Sequence, residues 1–303
     1  MQKPKIAISI GDLNGIGLEL AVCSHEQVCK IAEPIYLVSQ SLLSQACKIL
    51  GVEVPKMNLM GKFEDFVICP SKNTKEAGES SFASFVQALD LAEKGKVKGV
   101  VTLPISKEAW RLAGLNFKGH TDYLWHRYKK EPIMMLGCQK LFVGLFCDHV
   151  PIKKVPDLIK KDELVKKLYD FCCLTKAPKV ACLGLNPHAG ENGVLGTEDF
   201  IISEAIKEVN KRLKSQKVYG AIVPDSAFSP KNRQNFTHYF AMYHDQGLIP
   251  LKALYFEESI NVSLNIPVLR SSVDHGTAFD IAYKNKAPSN LSYLNALKYI
   301  ASC

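Results

Sequence analysis

The chain has 303 residues, 47% hydrophobic and 22% charged, with a formal net charge of +8, an ordinary globular composition that fits one large or two moderate domains. No apolar run reaches the length of a membrane span, and Met1-Gln2-Lys3-Pro4-Lys5 leads into an apolar segment too short for a signal peptide, so a cytoplasmic protein with no membrane partner is expected. The positive charge lies mostly in lysine-rich, helix-like stretches such as Lys153-Lys154, Lys160-Lys161 and Lys207–Lys217, without interleaved aromatics, which argues against nucleic acid and is compatible with a small anionic substrate.

Strand-like and helix-like runs alternate from the N-terminus on. Lys5–Ile10 is an apolar run, and Gly15–Ile31 has helical spacing. Ile35–Val38 reads as a strand before a helix over Ser41–Leu50; Ser71–Glu79 is polar and reads as a surface loop, with a helix over Phe82–Lys94 and a strand at Gly99–Leu103. An aromatic helix over Tyr123–Tyr128 precedes two strands, Ile133–Leu136 and Leu141–Phe146. Val180–Leu185, Ala221–Val223 and Tyr239–Tyr243 continue the strands, with helices at Asp162–Leu174 and Glu198–Leu213 between them. Near-continuous apolar strands alternating with helices predict an α/β fold with a mostly parallel sheet. Gly or Pro near Gly114–Lys118 and Gly247–Leu251 marks places where the chain could cross between two lobes, giving 1–114 with 248–303 as one and 115–247 as the other. The ten cysteines contain no Cys-x-x-Cys pair and mostly accompany apolar runs, as reduced core residues do.

Four of the eight histidines sit in clusters with turn residues: Cys147-Asp148-His149, Asn186-Pro187-His188-Ala189-Gly190, Met242-Tyr243-His244-Asp245 and Val273-Asp274-His275-Gly276-Thr277-Ala278. The first three follow strand-like runs, and parallel α/β sheets bind ligands beyond the carboxyl ends of their strands. A single histidine at a strand end is more often structural. Three at comparable positions point to a metal site with an open coordination position, suited to Lewis-acid work on an alcohol or carbonyl. Gly11-Asp12-Leu13-Asn14-Gly15-Ile16-Gly17 could be a purely structural turn or an anion contact. Lys118-Gly119-His120-Thr121-Asp122 could cap a helix through Thr121 or Asp122, or place His120 against a phosphate or carboxylate. Asp274 to Asp280 reads either as a capped helix start or as a nucleotide loop, in which Thr277 and Asp280 bond a ribose or adenine. Lys252, Asn261 and Arg270 suggest anion binding or simple surface placement.

Taken in order, Gly-Asp-x-x-Gly-Ile-Gly-x-Glu, Lys-Gly-His-Thr-Asp, Asn-Pro-His-Ala-Gly-Glu-Asn-Gly, Met-Tyr-His-Asp-Gln-Gly-Leu-Ile-Pro-Leu-Lys and Ser-Val-Asp-His-Gly-Thr-Ala closely resemble the 4-hydroxythreonine-4-phosphate dehydrogenase family of pyridoxal phosphate biosynthesis, from about residue 5 to residue 300. The resemblance implies a two-lobed α/β/α, isopropylmalate dehydrogenase-like fold with an active-site cleft between lobes. It implies metal ligands at His149, His188 and His244, the third from the partner subunit of a homodimer. Substrate contacts fall on His120, Thr121, Lys252, Asn261 and Arg270, and the cofactor loop on His275, Gly276, Thr277, Ala278 and Asp280. NAD or NADP and one divalent metal per site are implied, zinc or cobalt suiting imidazoles better than magnesium. Asp245 and Lys107 are the candidates for proton handling. The implied reaction oxidises 4-phosphohydroxy-L-threonine to 2-amino-3-oxo-4-phosphooxybutanoate, which decarboxylates to 3-amino-2-oxopropyl phosphate. A dehydrogenase of another phosphorylated hydroxy acid, such as 4-phosphothreonate, would share these motifs, and a non-redox phosphometabolite-binding protein is the alternative of another class. The chain departs from the family at Leu13 and Leu18, where proline is usual, and at Cys147-Asp148, where threonines are more common.

Overall fold

A computed structural model describes residues 2–284, 286 and 289–303, an α/β protein that divides into two compact units, residues 1–132 with 260–303 and residues 133–259. The first unit carries strands β1 (Lys5–Ser9), β2 (Glu33–Leu37) and β3 (Gly99–Thr102). The second carries β4 (Ile133–Cys138), β5 (Leu141–Leu145), β6 (Val180–Leu183), β7 (Val218–Ile222) and β8 (His238–Ala241). The chain then returns to the first unit with β9 (Ile260–Leu264) and β10 (Arg270–Val273).

In the first unit the strands run in the order β2-β1-β3-β10-β9. All neighbours are parallel except β9, which pairs antiparallel with β10 through Arg270 opposite Ser263. Ile6, Ala7, Ile8, Val100 and Val101 are fully buried, as expected of parallel strands covered on both faces. Phe85, Ala88, Leu89, Trp110 and Leu124 form the core on one side of the sheet. Leu124 lies in the helix His120–Tyr128, which is why residues 115–132 stay with the first unit and not, as expected, with the second. In the second unit the order is β4-β5-β8-β6-β7, where β4 and β5 form an antiparallel hairpin and the rest are parallel. The expected crossing near Gly247–Leu251 is instead the middle of the helix His244–Tyr255. A Cβ at Gly247 would lie 2.5 Å from Val143 Cγ1, so glycine there seats the helix against β5.

The expected single helix over Gly15–Ile31 is two, Gly17–Cys23 and His25–Ile31, meeting at buried Ser24, whose Oγ accepts from Asn290 Nδ2 at 3.1 Å. The expected surface loop Ser71–Glu79 becomes helix from Lys75. Thr74 Oγ1 accepts from Ala77 N at 3.2 Å as the N-cap, and the helix runs on to Glu93. Its buried face begins with Ala77, Gly78 and Ser81, small residues that carry little hydropathy. A Cβ at Gly78 would stand 2.1 Å from Ala109 O, so the close crossing of the helix Lys107–Leu112 accounts for that composition. All ten cysteines are free; Cys23, expected in the core, is exposed, and Cys69 is half-buried.

Candidate functional site

Three of the histidines stand where the strand pattern placed them. β5, β8 and β6 are adjacent and parallel, so their carboxyl ends share one edge. His149 follows β5, His244 opens the helix after β8, and His188 follows β6. The rings of His149 and His244 approach to 5.7 Å between centroids. Each has its own carboxylate: His244 Nδ1 lies 2.7 Å from Asp245 Oδ1, and His149 Nδ1 lies 3.6 Å from Asp148 Oδ2. At His244 the carboxylate on Nδ1 fixes the ring and its tautomer and leaves Nε2 as the ligand atom, the usual outer-shell arrangement of a metal-binding histidine, whereas Asp148 lies near the His149 ring beyond hydrogen-bond distance. This donor set fits a divalent metal of the zinc or cobalt kind. The fit is that of a pair. No group of three His, Cys, Asp or Glu side chains among the described residues is placed to hold an ion, so the triad is not assembled by these residues of one chain. The pair that does meet includes His244, the histidine expected from the partner.

His188 lies in unusual backbone. His188, Ala189, Gly190, Glu191 and Asn192 all have positive φ, between 43° and 80°. A left-handed turn costs each non-glycine residue about 1–2 kcal/mol, so five in succession persist only where their surroundings impose them. Buried Asp199, in the first turn of the helix Glu198–Leu213, accepts from Leu185 N at 2.8 Å and from Asn186 N and Nδ2 at 3.2 and 2.9 Å. Gln246, two residues after His244, accepts from Met242 N at 2.7 Å and donates to Gly184 O at 2.6 Å, tying the ends of β8 and β6 together. Sequence reasoning assigns a role to neither.

The first unit holds all of the residues expected to meet an anion except Lys252. Arg270 opens β10 and is 2% exposed. Its guanidinium donates to Ser263 Oγ at 2.9 Å and to Thr102 Oγ1 at 2.6 Å, while Nε is buried without a partner among the described residues. Burial lowers its pKa to about 9, which still leaves it cationic at neutral pH. The expectation of surface placement is therefore excluded for Arg270. His120 is the first residue of its helix, after Gly119, and its ring lies edge-on to Phe85 at 4.5 Å and Trp110 at 5.7 Å. Its Nε2 is buried and has no partner among the described residues, and burial together with the Arg270 charge holds the imidazole well below its usual pKa, hence neutral. Neither Thr121 nor Asp122 caps this helix; the Asp122 carboxylate accepts from Lys118 N at 2.9 Å, and half-buried Thr121 lies in the first turn. Asn261, on β9, also has a buried, unpartnered Oδ1. Lys252 belongs to the second unit, where its ammonium lies over the Phe256 ring at 5.1 Å. Lys107 begins the helix after Ser106, with its Cε 3.6 Å from where a Cβ at Gly119 would stand.

The glycine-rich segment after β1 proves to be a structural hub. Ile16 N donates to Thr277 O at 3.0 Å, Tyr283 N to Glu19 Oε2 at 2.9 Å, and Tyr283 OH to Leu13 O at 2.9 Å. Asn14 holds the loop at Cys69 and Lys72 through both side-chain ends. The close backbone approach is at Gly15, where a Cβ would lie 2.9 Å from Thr277 Cβ. Gly276 has open space, with nothing within 4 Å of its Cβ position. Asp274–Asp280 is loop and turn, not the start of a helix, and His275 Nδ1 lies 3.1 Å from Gly276 O. Ala278 has a φ of 45°, and exposed Asp280 offers its carbonyl to Lys284 Nζ at 2.7 Å.

The family model for the pyridoxal phosphate biosynthetic protein PdxA matches residues 30–300. The chain belongs to the PdxA family. Curated PdxA relatives named 4-hydroxythreonine-4-phosphate dehydrogenase are 51% identical in Sulfurimonas denitrificans, over 98% of this chain and 97% of that one, and 51% identical in Helicobacter pylori strain HPAG1, over 99% and 100%. A crystal structure of 4-hydroxythreonine-4-phosphate dehydrogenase from Klebsiella pneumoniae superposes with a TM-score of 0.86 at 29% identity, covering 98% of this chain and 99% of that chain. No helix among the described residues is long and apolar enough to cross a membrane.

Proposed function

We propose that this protein oxidises 4-phosphohydroxy-L-threonine to 2-amino-3-oxo-4-phosphooxybutanoate, the precursor of 3-amino-2-oxopropyl phosphate, using NAD or NADP and one divalent metal. Beyond family membership, the observation that carries this reading is Arg270: a buried guanidinium that, among the described residues, bonds hydroxyls and no carboxylate. A buried cation left in that state calls for an anionic ligand, and a phosphate monoester supplies the charge and the acceptors. His120 presents a neutral imidazole, with Thr121, Asn261 and Lys252 as further polar contacts to the substrate. The histidines His149 and His244 of one chain, with His188 of a second copy, would hold the metal, and the protein would act as a homodimer. Asp245 orients the ring of His244. A bound metal would lower the pKa of the substrate hydroxyl and polarise the ketone that follows, and the nicotinamide would accept the hydride. Asp245, whose Oδ1 is engaged by His244 while its second oxygen remains, and Lys107 are the two groups to handle the hydroxyl proton. The loop His275-Gly276-Thr277-Ala278 with Asp280 would receive the adenosine half of the cofactor.

The test is steady-state oxidation of 4-phosphohydroxythreonine with NAD and with NADP, before and after chelation and after adding back Zn(II) or Co(II). Turnover that is lost on chelation and restored by metal is expected. Turnover indifferent to chelation, or a preference for 4-phosphothreonate, would overturn the reading.

A further inference from the structure

The buried carboxylate of Asp199 has no place in the chemistry above, yet it collects three hydrogen bonds from the two residues immediately before the Pro187–Gly193 turn. We propose that Asp199 is a positioning residue that holds the left-handed turn at 188–192 and thereby presents His188 as a ligand; the proposal rests on the reading of His188 as one of the metal's histidines.

The Asp199 carboxylate is clamped between the approach to the turn and its far side. Gly184, where the chain leaves β6, would carry a Cβ 2.5 Å from Asp199 Oδ1 and 3.0 Å from Ala189 Cβ, so the carboxylate is wedged between the strand end and the turn. Gly190 would carry a Cβ 2.7 Å from Gly196 O and 3.1 Å from Asp199 Oδ2, so the far side of the turn packs on the same carboxylate. Asn186 Nδ2 donates to both Asp199 and Glu198. Within the turn, Ala189 N donates to Asn186 O at 3.0 Å and Leu195 N to Gly190 O at 3.1 Å. Among the described residues His188 itself has no comparable clamp: its ring is exposed, with the Glu191 carboxylate near Nδ1 at 3.9 Å. The direction of that ring is therefore set by the backbone beneath it, and the backbone is set by Asp199. A ligand held in a conformation that L-residues avoid needs such an anchor, because without it the turn relaxes and the imidazole moves away.

The test uses the full-length protein as wild type, His188→Ala, Asp199→Asn, Ala189→Gly and the Asp199→Asn/Ala189→Gly double variant. Three quantities are read: Co(II) affinity by the visible absorption of the bound ion, amide hydrogen exchange of the metal-free protein across residues 185–196, and the urea midpoint. Asp199→Asn keeps the size but replaces one acceptor oxygen by a donor facing N–H groups. It is expected to speed exchange across 185–196 selectively and to weaken Co(II) binding about ten- to a hundred-fold, as loss of outer-shell support does. Ala189→Gly removes the left-handed penalty at one position and is expected to restore much of that affinity in the double variant. A role only in general stability predicts affinity that follows the urea midpoint and no rescue by glycine; that result, or wild-type exchange and affinity in Asp199→Asn, overturns the proposal. If wild type binds no Co(II), or His188→Ala binds it equally well, the ligand reading falls and takes the metal half of the proposal with it, while the exchange measurement still decides whether Asp199 holds the turn.

Discussion

Replacing Arg270 by methionine separates a residue kept for binding from one kept for folding. Burial lowers the pKa of Arg270 from 12.5 to about 9, a difference that corresponds to about 5 kcal/mol disfavouring the charged group in the protein interior. Methionine fills most of the same volume without that penalty. Against this, Ser263 Oγ and Thr102 Oγ1 lose their donors, at about 1–3 kcal/mol for each buried group left unsatisfied. The two effects are of similar size, so Arg270→Met is expected to unfold in urea at a midpoint near wild type or above it. Binding behaves differently. Loss of a charge-assisted hydrogen bond in a closed site costs about 1.5–3 kcal/mol, roughly ten- to a hundred-fold in KM for a phosphorylated substrate when the contact persists through the reaction. Inorganic phosphate should raise the unfolding temperature of wild type with the logarithm of its concentration once it exceeds the Kd and leave that of the variant unmoved. A strongly destabilised Arg270→Met that still responds to phosphate and retains a normal KM would show that the guanidinium is a structural bridge between β3, β9 and β10, and would refute the argument from its missing carboxylate.

The His149–His244 contact decides which inactive subunits complement one another: His149→Ala mixed with His188→Ala should regain activity after subunit exchange, whereas His149→Ala mixed with His244→Ala should not, and recovery in the second mixture would show that those two histidines serve different sites. Gly276→Ala should leave the urea midpoint unchanged because its Cβ enters open space, so a higher KM for NAD(P) in that variant reports cofactor contact alone; Gly15→Ala, meeting Thr277 at 2.9 Å, should lower the unfolding free energy by about 1–3 kcal/mol as overpacking does and the midpoint with it, and equal midpoints for the two variants would contradict the described packing. Asp12 is fully buried, and burial raises its pKa to about 6, so the folded state binds more protons than the unfolded one between pH 4 and 6 and stability falls as pH rises through that window. Asp12→Asn removes this dependence, and its stability relative to wild type should climb by about 3 kcal/mol from pH 4 to 6 and then level off; a constant difference in urea titrations at stepped pH would mean that the carboxyl is not held protonated.

Much of this protein was readable before any coordinates. Lys5–Ser9, Gly99–Thr102, Val180–Leu183 and His238–Ala241 announce themselves as unbroken apolar runs, because a parallel strand buried on both faces has no polar side to display. Their alternation with helices implies the α/β class, and the turn residues that follow them place His149, His188 and His244 at strand ends. The helix from Lys75 was hidden because a face that crosses another helix closely is built from Gly78, Ser81 and alanine, whose low hydropathy imitates a loop. The boundaries at 132 and 259 could not be placed from glycines and prolines, since Gly247 marks tight packing and not a crossing. The same limit holds at the sites. A motif shows that His149 and His244 are available, but their meeting at 5.7 Å depends on β5 lying beside β8, a pairing between segments about a hundred residues apart. Asp199 carries no signal in the sequence, and Arg270 is marked there as a possible anion contact without any sign of its burial. Only the tertiary structure buries them and surrounds one with amide donors and the other with hydroxyls, because hydropathy patterns record which face of a segment avoids water and carry no record of which distant segment will cover it.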